Sequence, residues 1–366
     1  MYAHHYSTGV SALDQMIKKL LEQAGGSSAY DRLLEDIIIT AVKLKSDEID
    51  RGDVRLLTIA LKELRYAFKV FRPYRAVRKV AMFGSARVPR SHAAYPVAKT
   101  FGRLMAKAGW MVITGAASGI MKAGHEGAGT EASFGLNIRL PFEQAANPVI
   151  ATDVKLINCK YFFTRKLIFI KESHATALFA GGFGTLDEGF ESITLAQTGK
   201  SDPRPIVFVD TPRGTFWKPL LRFFDQQLIR GGMVSPSEHA IYQVAHSAEE
   251  AAEHILRFYT VYHSLRYVGD LLAIRLQRPL PARSVSVLAR EFRDLLKPGE
   301  MRQGSGLSEE ADEPELAHLS RLLLPFNRQH YGRLTELIYR INELGPPPPH
   351  PTPPTDSSVL KTASKI

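Results

Sequence analysis

The sequence predicts an α/β fold: a doubly wound, mostly parallel sheet with an N-terminal helical extension and a small C-terminal α+β appendage. Three observations carry this reading. Between residues 77 and 262, short apolar runs alternate with helix-period segments, the order that covers both faces of a parallel sheet with helices. Three of those runs end in small, glycine-rich turns, Gly84–Arg87, Gly115–Gly119 and Gly181–Thr185. Residues 1–76 and 263–345 lack this rhythm.

The elements follow in order. Residues 1–76 are helical: Leu13, Ile17, Leu20 and Leu21 recur at helical spacing, as do Leu33, Leu34, Ile37, Ile38 and Val42, then Leu57, Leu61, Leu64 and Phe68. Gly25–Ser28 and Arg51–Asp53 punctuate them. From residue 77 the spacing predicts strands over Lys79–Phe83, Trp110–Thr114, Phe134–Leu140, Val154–Ile157, Thr176–Phe179 and Ile206–Val209. Helices are expected over Ala94–Ala108, through Met121 and Ala128, and over Tyr161–Glu172, Gly184–Gln197, Phe216–Ile229 and Ala248–Tyr259. In the appendage, Tyr267–Leu276 reads as one strand, Ser284–Leu296 as a helix, the segment with Gly304 and Gly306 as a loop, and Tyr331–Leu344 as the last helix. Residues 346–366, opening on Pro346–Pro349, form a disordered, proline-rich tail.

Composition bounds the function. The chain has 366 residues, 45% hydrophobic and 23% charged, enough for a sizeable core and about two domains. Lys and Arg number 47 against 37 Asp and Glu, a formal charge of +10. Such a balance suits either a nucleic-acid face or a site for small anions, and no Lys/Arg block with interleaved aromatics marks the former. One cysteine, Cys159, excludes an intrachain disulfide framework and a multi-cysteine zinc site; it reads as a packed small residue. No apolar run approaches the ~18–20 residues of a membrane helix, and Met1–Ser7 lacks a signal pattern. A cytoplasmic protein with no membrane or nucleic-acid partner is expected.

In a parallel sheet, ligands bind beyond the carboxyl ends of the strands. There the three glycine turns let backbone approach a ligand, and the helix N-termini that follow favour anions. A nucleotide or sugar phosphate fits. The common fingerprints are absent. No G-x-G-x-x-G follows the first strand. Gly199-Lys200-Ser201 mimics a P-loop end, but Thr194 replaces the first glycine, so it reads as a helix C-cap and loop. His125-Glu126 has no second histidine for H-E-x-x-H, and Ser118 stands one position late for G-x-S-x-G. Thr185-x-x-Glu188 by itself reads as a capping box.

The nine residues Ala180-Gly-Gly-Phe-Gly-Thr-Leu-Asp-Glu188, with Tyr161-Phe-Phe-Thr-Arg165-Lys166 upstream, resemble the Lonely Guy (LOG) family. Its signature is P-G-G-x-G-T-x-x-E preceded by an Arg-Lys pair on a helix; the one departure is Ala180 for Pro. Gly84–Arg87, Gly115–Met121 and Gly135–Glu143 resemble further family segments, so the likeness spans roughly residues 78–260. It implies a Rossmann-like domain over 77–262 that binds and cleaves a nucleoside 5′-monophosphate, AMP or an N6-modified AMP such as a cytokinin nucleotide, to base and ribose 5-phosphate. No cofactor or metal is implied, and a homodimer or larger homo-oligomer is. Arg165 and Glu188 become the catalytic candidates: an oxocarbenium-like sugar calls for a nearby carboxylate, and a guanidinium clamps oxyanions but cannot be a general acid. A place in the first turn of a helix would favour the ionised form of Glu188. Gly181, Gly182, Gly184 and Thr185 would cradle the phosphate, with Gly84, Ser85, Ala86, Gly115 and Ser118 flanking the nucleotide. Lys166 either adds charge there or faces solvent, and Asp187 and Glu191 read as solvated acids. Two other readings remain: a non-catalytic nucleotide or cofactor carrier of the same fold, and a pyridoxal-phosphate decarboxylase using Lys166.

Overall fold

The computed structural model describes residues 6–25, 30–138 and 145–347. The turn residues Gly26–Ser28, the link Pro141–Glu143 and the tail from residue 348 lie outside them. The chain forms two compact units that divide between Arg65 and Tyr66.

The first unit is helical: α1 (Ser11–Gln23), α2 (Asp31–Ser46) and most of α3 (Arg51–Phe71). Helices α1 and α2 pack together. Among its described residues only Ile17, Ile39 and Ala60 are buried hydrophobics, while Leu20, Leu33, Leu34, Ile37, Leu57 and Leu61 stay exposed.

The second unit opens with β1 (Lys79–Phe83), α4 (Ala94–Lys107), β2 (Met111–Thr114), α5 (Ile120–Ala128), β3 (Ser133–Ile138) and β4 (Leu156–Cys159). Then come α6 (Phe162–Glu172), β5 (Ala175–Phe179), α7 (Phe183–Gln197), β6 (Ile206–Val209), α8 (Lys218–Phe223), β7 (Tyr242–Ala245) and α9 (Ala248–Phe258). The seven strands make one parallel sheet in the order β4-β3-β2-β1-β5-β6-β7. Its central strands β1, β2, β5 and β6 are buried along their whole length, which is why they read as apolar runs without alternation. From β1 the chain builds outward to β4, then returns through α6 to β5 on the other side of β1. Because crossovers are right-handed, that reversal puts α6 and α7 on the face opposite α4 and α5.

The sheet face under α4 is close-packed, and α4 and α5 meet backbone to backbone. A methyl group on Gly102 would overlap the carbonyl of Gly124, and one on Gly127 would overlap that of Lys99. Met82, Phe101, Met105, Val112 and Phe179 lie in the adjoining core.

A second, antiparallel sheet follows: β8 (Tyr262–Val268), β9 (Leu271–Leu276), β10 (Arg302–Gly304) and β11 (Ser320–Leu324), in the order β10-β11-β9-β8. Helices α10 (Ala282–Glu291) and α11 (Tyr331–Leu344) accompany it. Its hydrophobic core runs on into that of the parallel sheet. Asn342 of α11 accepts from the backbone of Val261 and Tyr262 and donates to Phe258 O, pinning the passage from α9 to β8. Inside this sheet Glu310 is held by Arg275 at 2.8 Å and Arg321 at 3.0 Å, all three side chains almost fully buried. The two arginines hold the Glu310 carboxyl down at about 2 despite its burial.

Several elements differ from the sequence reading. The single strand expected over Tyr267–Leu276 is a hairpin whose two-residue loop, Gly269-Asp270, joins β8 to β9; Gly269 supplies the positive φ of +56° that such a turn needs. Strand β4 begins two residues late because Asp153 turns the chain, accepting from Lys155 N and Lys155 Nζ, and leaves Val154 exposed. The edge strand β7 and the short β10 carry too little pattern to be read as strands. The helix expected over Phe216–Ile229 is α8 followed by a π-helical turn over Phe224–Ile229.

The α4–α5 contact yields a prediction. Gly102→Ala or Gly127→Ala must force the helices apart, costing about 1–3 kcal/mol and several degrees of Tm by calorimetry. Gly184→Ala, whose methyl meets nothing within 4 Å, leaves Tm unchanged.

Candidate functional site

Strand order reverses between β1 and β5, so the loops after these strands part and leave a crevice at the carboxyl edge of the sheet. The peptide of Ser85 ties the three loops. Its N–H donates to Ala180 O at 3.0 Å and its carbonyl accepts from Ile120 N at 3.0 Å. Space is tight throughout: a side chain on Gly119, at φ +63°, would overlap the backbone of Ser85 and Ala86, and one on Gly181 would overlap Thr185 Oγ1. Gly84, Ser85, Ala86, Gly115, Ser118, Gly181 and Gly182 therefore sit on adjoining turns of one edge. Gly184 and Thr185 lie in the first turn of α7, where Gly182 is the N-cap. Around Gly182 and Gly184 the backbone is open, and the first amides of a helix have no intrahelical acceptor.

Arg165 and Lys166 rise from the N-terminal part of α6 toward the same edge. Arg165 Nε donates to Leu136 O of β3 at 2.8 Å, and its guanidinium lies 5.3 Å from the Phe169 ring. A methyl on Gly115 would stand 2.5 Å from Arg165 Nη2, so the second glycine loop receives the guanidinium. No described residue accepts a hydrogen bond from its Nη groups. Burial lowers the Arg165 pKa from its ordinary value, and the Glu188 carboxylate partly restores it.

Glu188 is the sixth residue of α7 and only 6% exposed. This overturns two expectations. The helix begins at Phe183, so Thr185 and Glu188 form no capping box. Nor is Glu188 held ionised by a first-turn position: burial pushes its carboxyl up to about 7, against the opposing pull of Lys166 and Arg165 and with the added push of Asp187 and Glu191. Its Oε2 is buried without a hydrogen-bond partner.

Lys166 does not face solvent. Its Nζ is held by Asp187 at 2.8 Å and Glu191 at 2.6 Å, so the two acids clamp α6 to α7, Asp187 from an exposed position and Glu191 from a half-buried one. Burial alone would lower the Lys166 pKa, but these carboxylates carry it above its ordinary value. An ammonium so held is a poor Schiff-base nucleophile, and the residues do not fit pyridoxal phosphate. Cys159 is buried in β4, as a packed residue should be.

Beneath the second loop lies a network that sequence reasoning missed. His125 is fully buried, with Nε2 3.1 Å from Thr114 Oγ1 and 3.0 Å from Phe134 O, and Nδ1 3.1 Å from Asn147 Nδ2. Asn147 donates to Ala116 O and Ala117 O, and Thr114 Oγ1 accepts from Ala116 N. These bonds hold Ala116 at φ +61°, a strained value for a residue with a side chain. Burial, foremost, pushes the His125 pKa down to about 4, so it is a neutral structural imidazole at pH 7. Nothing in the local sequence around His125 announces its partners.

Comparison with known proteins finds partial likenesses. Residues 114–255 match the family model described as "Possible lysine decarboxylase". A "Probable cytokinin riboside 5'-monophosphate phosphoribohydrolase" of rice, Oryza sativa subsp. japonica, is 36% identical over 100 residues, 27% of this chain and 44% of that protein. The chain thus spans less than half the length of the curated relative it matches. Among solved structures, TM1055 has 24% identity and a TM-score of 0.35, covering 50% of this chain and 99% of its own. The molybdenum cofactor carrier protein of Chlamydomonas reinhardtii has 23% identity and a TM-score of 0.34, covering 50% and 97%. The matched segment contains the signature loop Ala180–Glu188, so residues 114–255 are similar to the family of the possible lysine decarboxylase model.

Proposed function

We propose that this chain hydrolyses the N-glycosidic bond of a nucleoside 5′-monophosphate, AMP or an N6-modified AMP, releasing free base and ribose 5-phosphate. The observation that carries the reading is Glu188: a buried carboxyl with an unpartnered oxygen, beside Arg165, at a crevice of glycine loops. A pure carrier would have no use for such a group. The name of the rice relative supports the same chemistry.

On this reading the 5′-phosphate sits on the amides of Gly181–Thr185 at the N-terminus of α7. Arg165 offers its Nη groups to a phosphate or ribose oxygen. As the bond from C1′ to the base nitrogen breaks, its electron pair leaves with the base, and positive charge develops on the sugar. Ionised Glu188 stabilises that charge. Water adds its oxygen to C1′, and one of its protons ends on the base. The buried surroundings make the carboxylate effective by denying it water.

Three sets of measurements test this reading and the assembly it goes with. EDTA-treated protein incubated with a panel of nucleoside monophosphates should release base, detected by chromatography, from AMP or a close relative. Release from none of them leaves the carrier reading.

Glu188→Gln should lower turnover about a hundredfold or more while nucleotide binding largely survives, whereas Arg165→Ala weakens binding as well. The rate should rise with pH toward a plateau through an apparent pKa near 7, set by Glu188; a rate that falls above pH 7 would make Glu188 an acid instead. Stability has the opposite sign. A carboxyl raised from 4.5 to about 7 on folding contributes its stability fully below pH 4.5 and loses it as pH rises through 7. At pH 8 the buried charge costs on the order of 2–3 kcal/mol. Glu188→Gln should therefore melt higher than the parent at pH 8, with the difference shrinking toward pH 5.

The third concerns assembly. Phe183 is 92% exposed and Phe162 57%, at the first turns of the two helices that carry the site, and the helices of the first unit leave further apolar residues exposed. A homodimer or larger assembly accounts for such surfaces. Light scattering at micromolar concentration should give at least twice 40.7 kDa, and Phe183→Asp should reduce it if this face is the contact.

A further inference from the structure

Beside the glycine crevice, the carboxyl edge of the parallel sheet holds a cavity of about 240 Å³ between the end of β5, the loop after β6 and the start of α4. That is just below the ~300–1,000 Å³ of sites for drug-sized ligands, so its occupant is smaller. Val97, Phe179, Val209 and Phe216 give it apolar walls. Asp210, Thr211 and Thr215 supply its polar side chains, together with the exposed His92.

Asp210 is 7% exposed, yet no Lys, Arg or His among the described residues forms an ion pair with it. Glu310, equally buried, is held by two arginines. The Asp210 carboxylate has one hydrogen bond, from Thr211 N to Oδ1 at 2.9 Å. Its Oδ2 bonds to no described residue and is not sealed off from the cavity. Buried carboxylates are ordinarily paired with a cation or a metal ion. The first turn of α4 offsets about half a charge at most, and its amides Ala94 N and Tyr95 N are spent on His92 Nδ1 and His92 O. Accepting at Nδ1 marks the His92 ring as neutral, so it adds no charge.

The loop after β6 is built around this carboxylate. A methyl on Gly214 would stand 1.8 Å from Asp210 Oδ1, so the turn that Gly214 N closes on Thr211 O folds directly against it. Trp217 Nε1 donates to Val209 O at 3.1 Å and fastens the far end of the loop to β6. The hydroxyls of Thr211 and Thr215 bond to no described residue. One carboxylate and two hydroxyls thus stand ready to accept hydrogen bonds between apolar walls. A metal ion would want more charged ligands, and among the described residues no three His, Cys, Asp or Glu side chains gather to hold one.

We propose that this cavity is a site for a small organic cation, a primary ammonium on a compact apolar body, distinct from the glycine-loop crevice. An ammonium group has three donors and no acceptor, which Asp210 and the two threonine hydroxyls match. Its charge supplies the partner that Asp210 lacks, its body covers the apolar walls, and the rings of Phe179 and Phe216 favour a cation. The cavity shares the Phe179–Ala180 turn with the crevice, where Ala180 O receives Ser85 N. An occupant would therefore brace the loop that leads into α7.

The test is calorimetric titration of the full chain with benzylammonium at pH 7 and low ionic strength, with benzyl alcohol as its uncharged counterpart of equal size. Saturable binding of benzylammonium is expected, about tenfold or more tighter than that of the alcohol and weakened about tenfold or more in Asp210→Asn. Thr215→Lys, at an exposed position, should abolish it by placing the chain's own ammonium in the cavity. That variant decides the matter even if Asp210→Asn does not fold. The proposal is overturned if no saturable binding occurs up to millimolar benzylammonium, or if the alcohol binds as tightly. It is equally overturned if either variant binds the amine as the parent does, which would place it elsewhere, beside Glu188 for example.

Discussion

Two hydrogen bonds on the peptide of Ser85 set the arrangement on which the candidate site depends. One reaches the loop after β5 and the other the start of α5, so the backbone of a single residue ties together three turns at the carboxyl edge of the sheet. With these loops so tied, neither Gly119 nor Gly181 can carry a side chain, and the N-terminus of α7 lies at the crevice. The parallel sheet makes the fixation possible. Its central strands are buried along their whole length, so their ends cannot shift without exposing core.

The charges around α6 and α7 are divided unequally. Lys166 is consumed by Asp187 and Glu191, an ion-paired clamp between the helices. What remains is one acid and one cation that feel each other without closing into an ion pair, Glu188 and Arg165. Had Lys166 reached Glu188 instead, that carboxyl would be neutralised and fixed. The clamp keeps the lysine away and holds Glu188 in the low-dielectric space between the helices.

Much of this was legible in the sequence because the elements that build the parallel sheet are long, apolar and bounded by glycine. The three turns came from glycine spacing at strand ends, and the Arg165–Glu188 pairing from the resemblance to the LOG family. What escaped has specific causes. Gly269-Asp270 is a hairpin loop too short to interrupt an apolar run, so two strands read as one. The Thr185–Glu188 spacing matches a capping box, and only the true start of α7 two residues before Thr185 excludes it. His125 finds Asn147, 22 residues away, through a contact that exists only after β2, α5 and β3 have packed. The balance of burial against charge at Glu188 depends on neighbours from two helices, which no local pattern encodes.

If the Gly181–Thr185 amides hold a phosphate as proposed, a carboxyl pushed up to about 7 beside them makes anion and proton binding reciprocal. A negative ligand on the Gly181–Thr185 amides raises the proton affinity of Glu188. By the same linkage, protonation of Glu188 strengthens the hold on the ligand. Near pH 7 the arrival of a phosphate would therefore draw a proton from solvent, and its departure would return one. On the proposed reading, the burial of Glu188 thus couples occupancy of the crevice to the acidity of its surroundings.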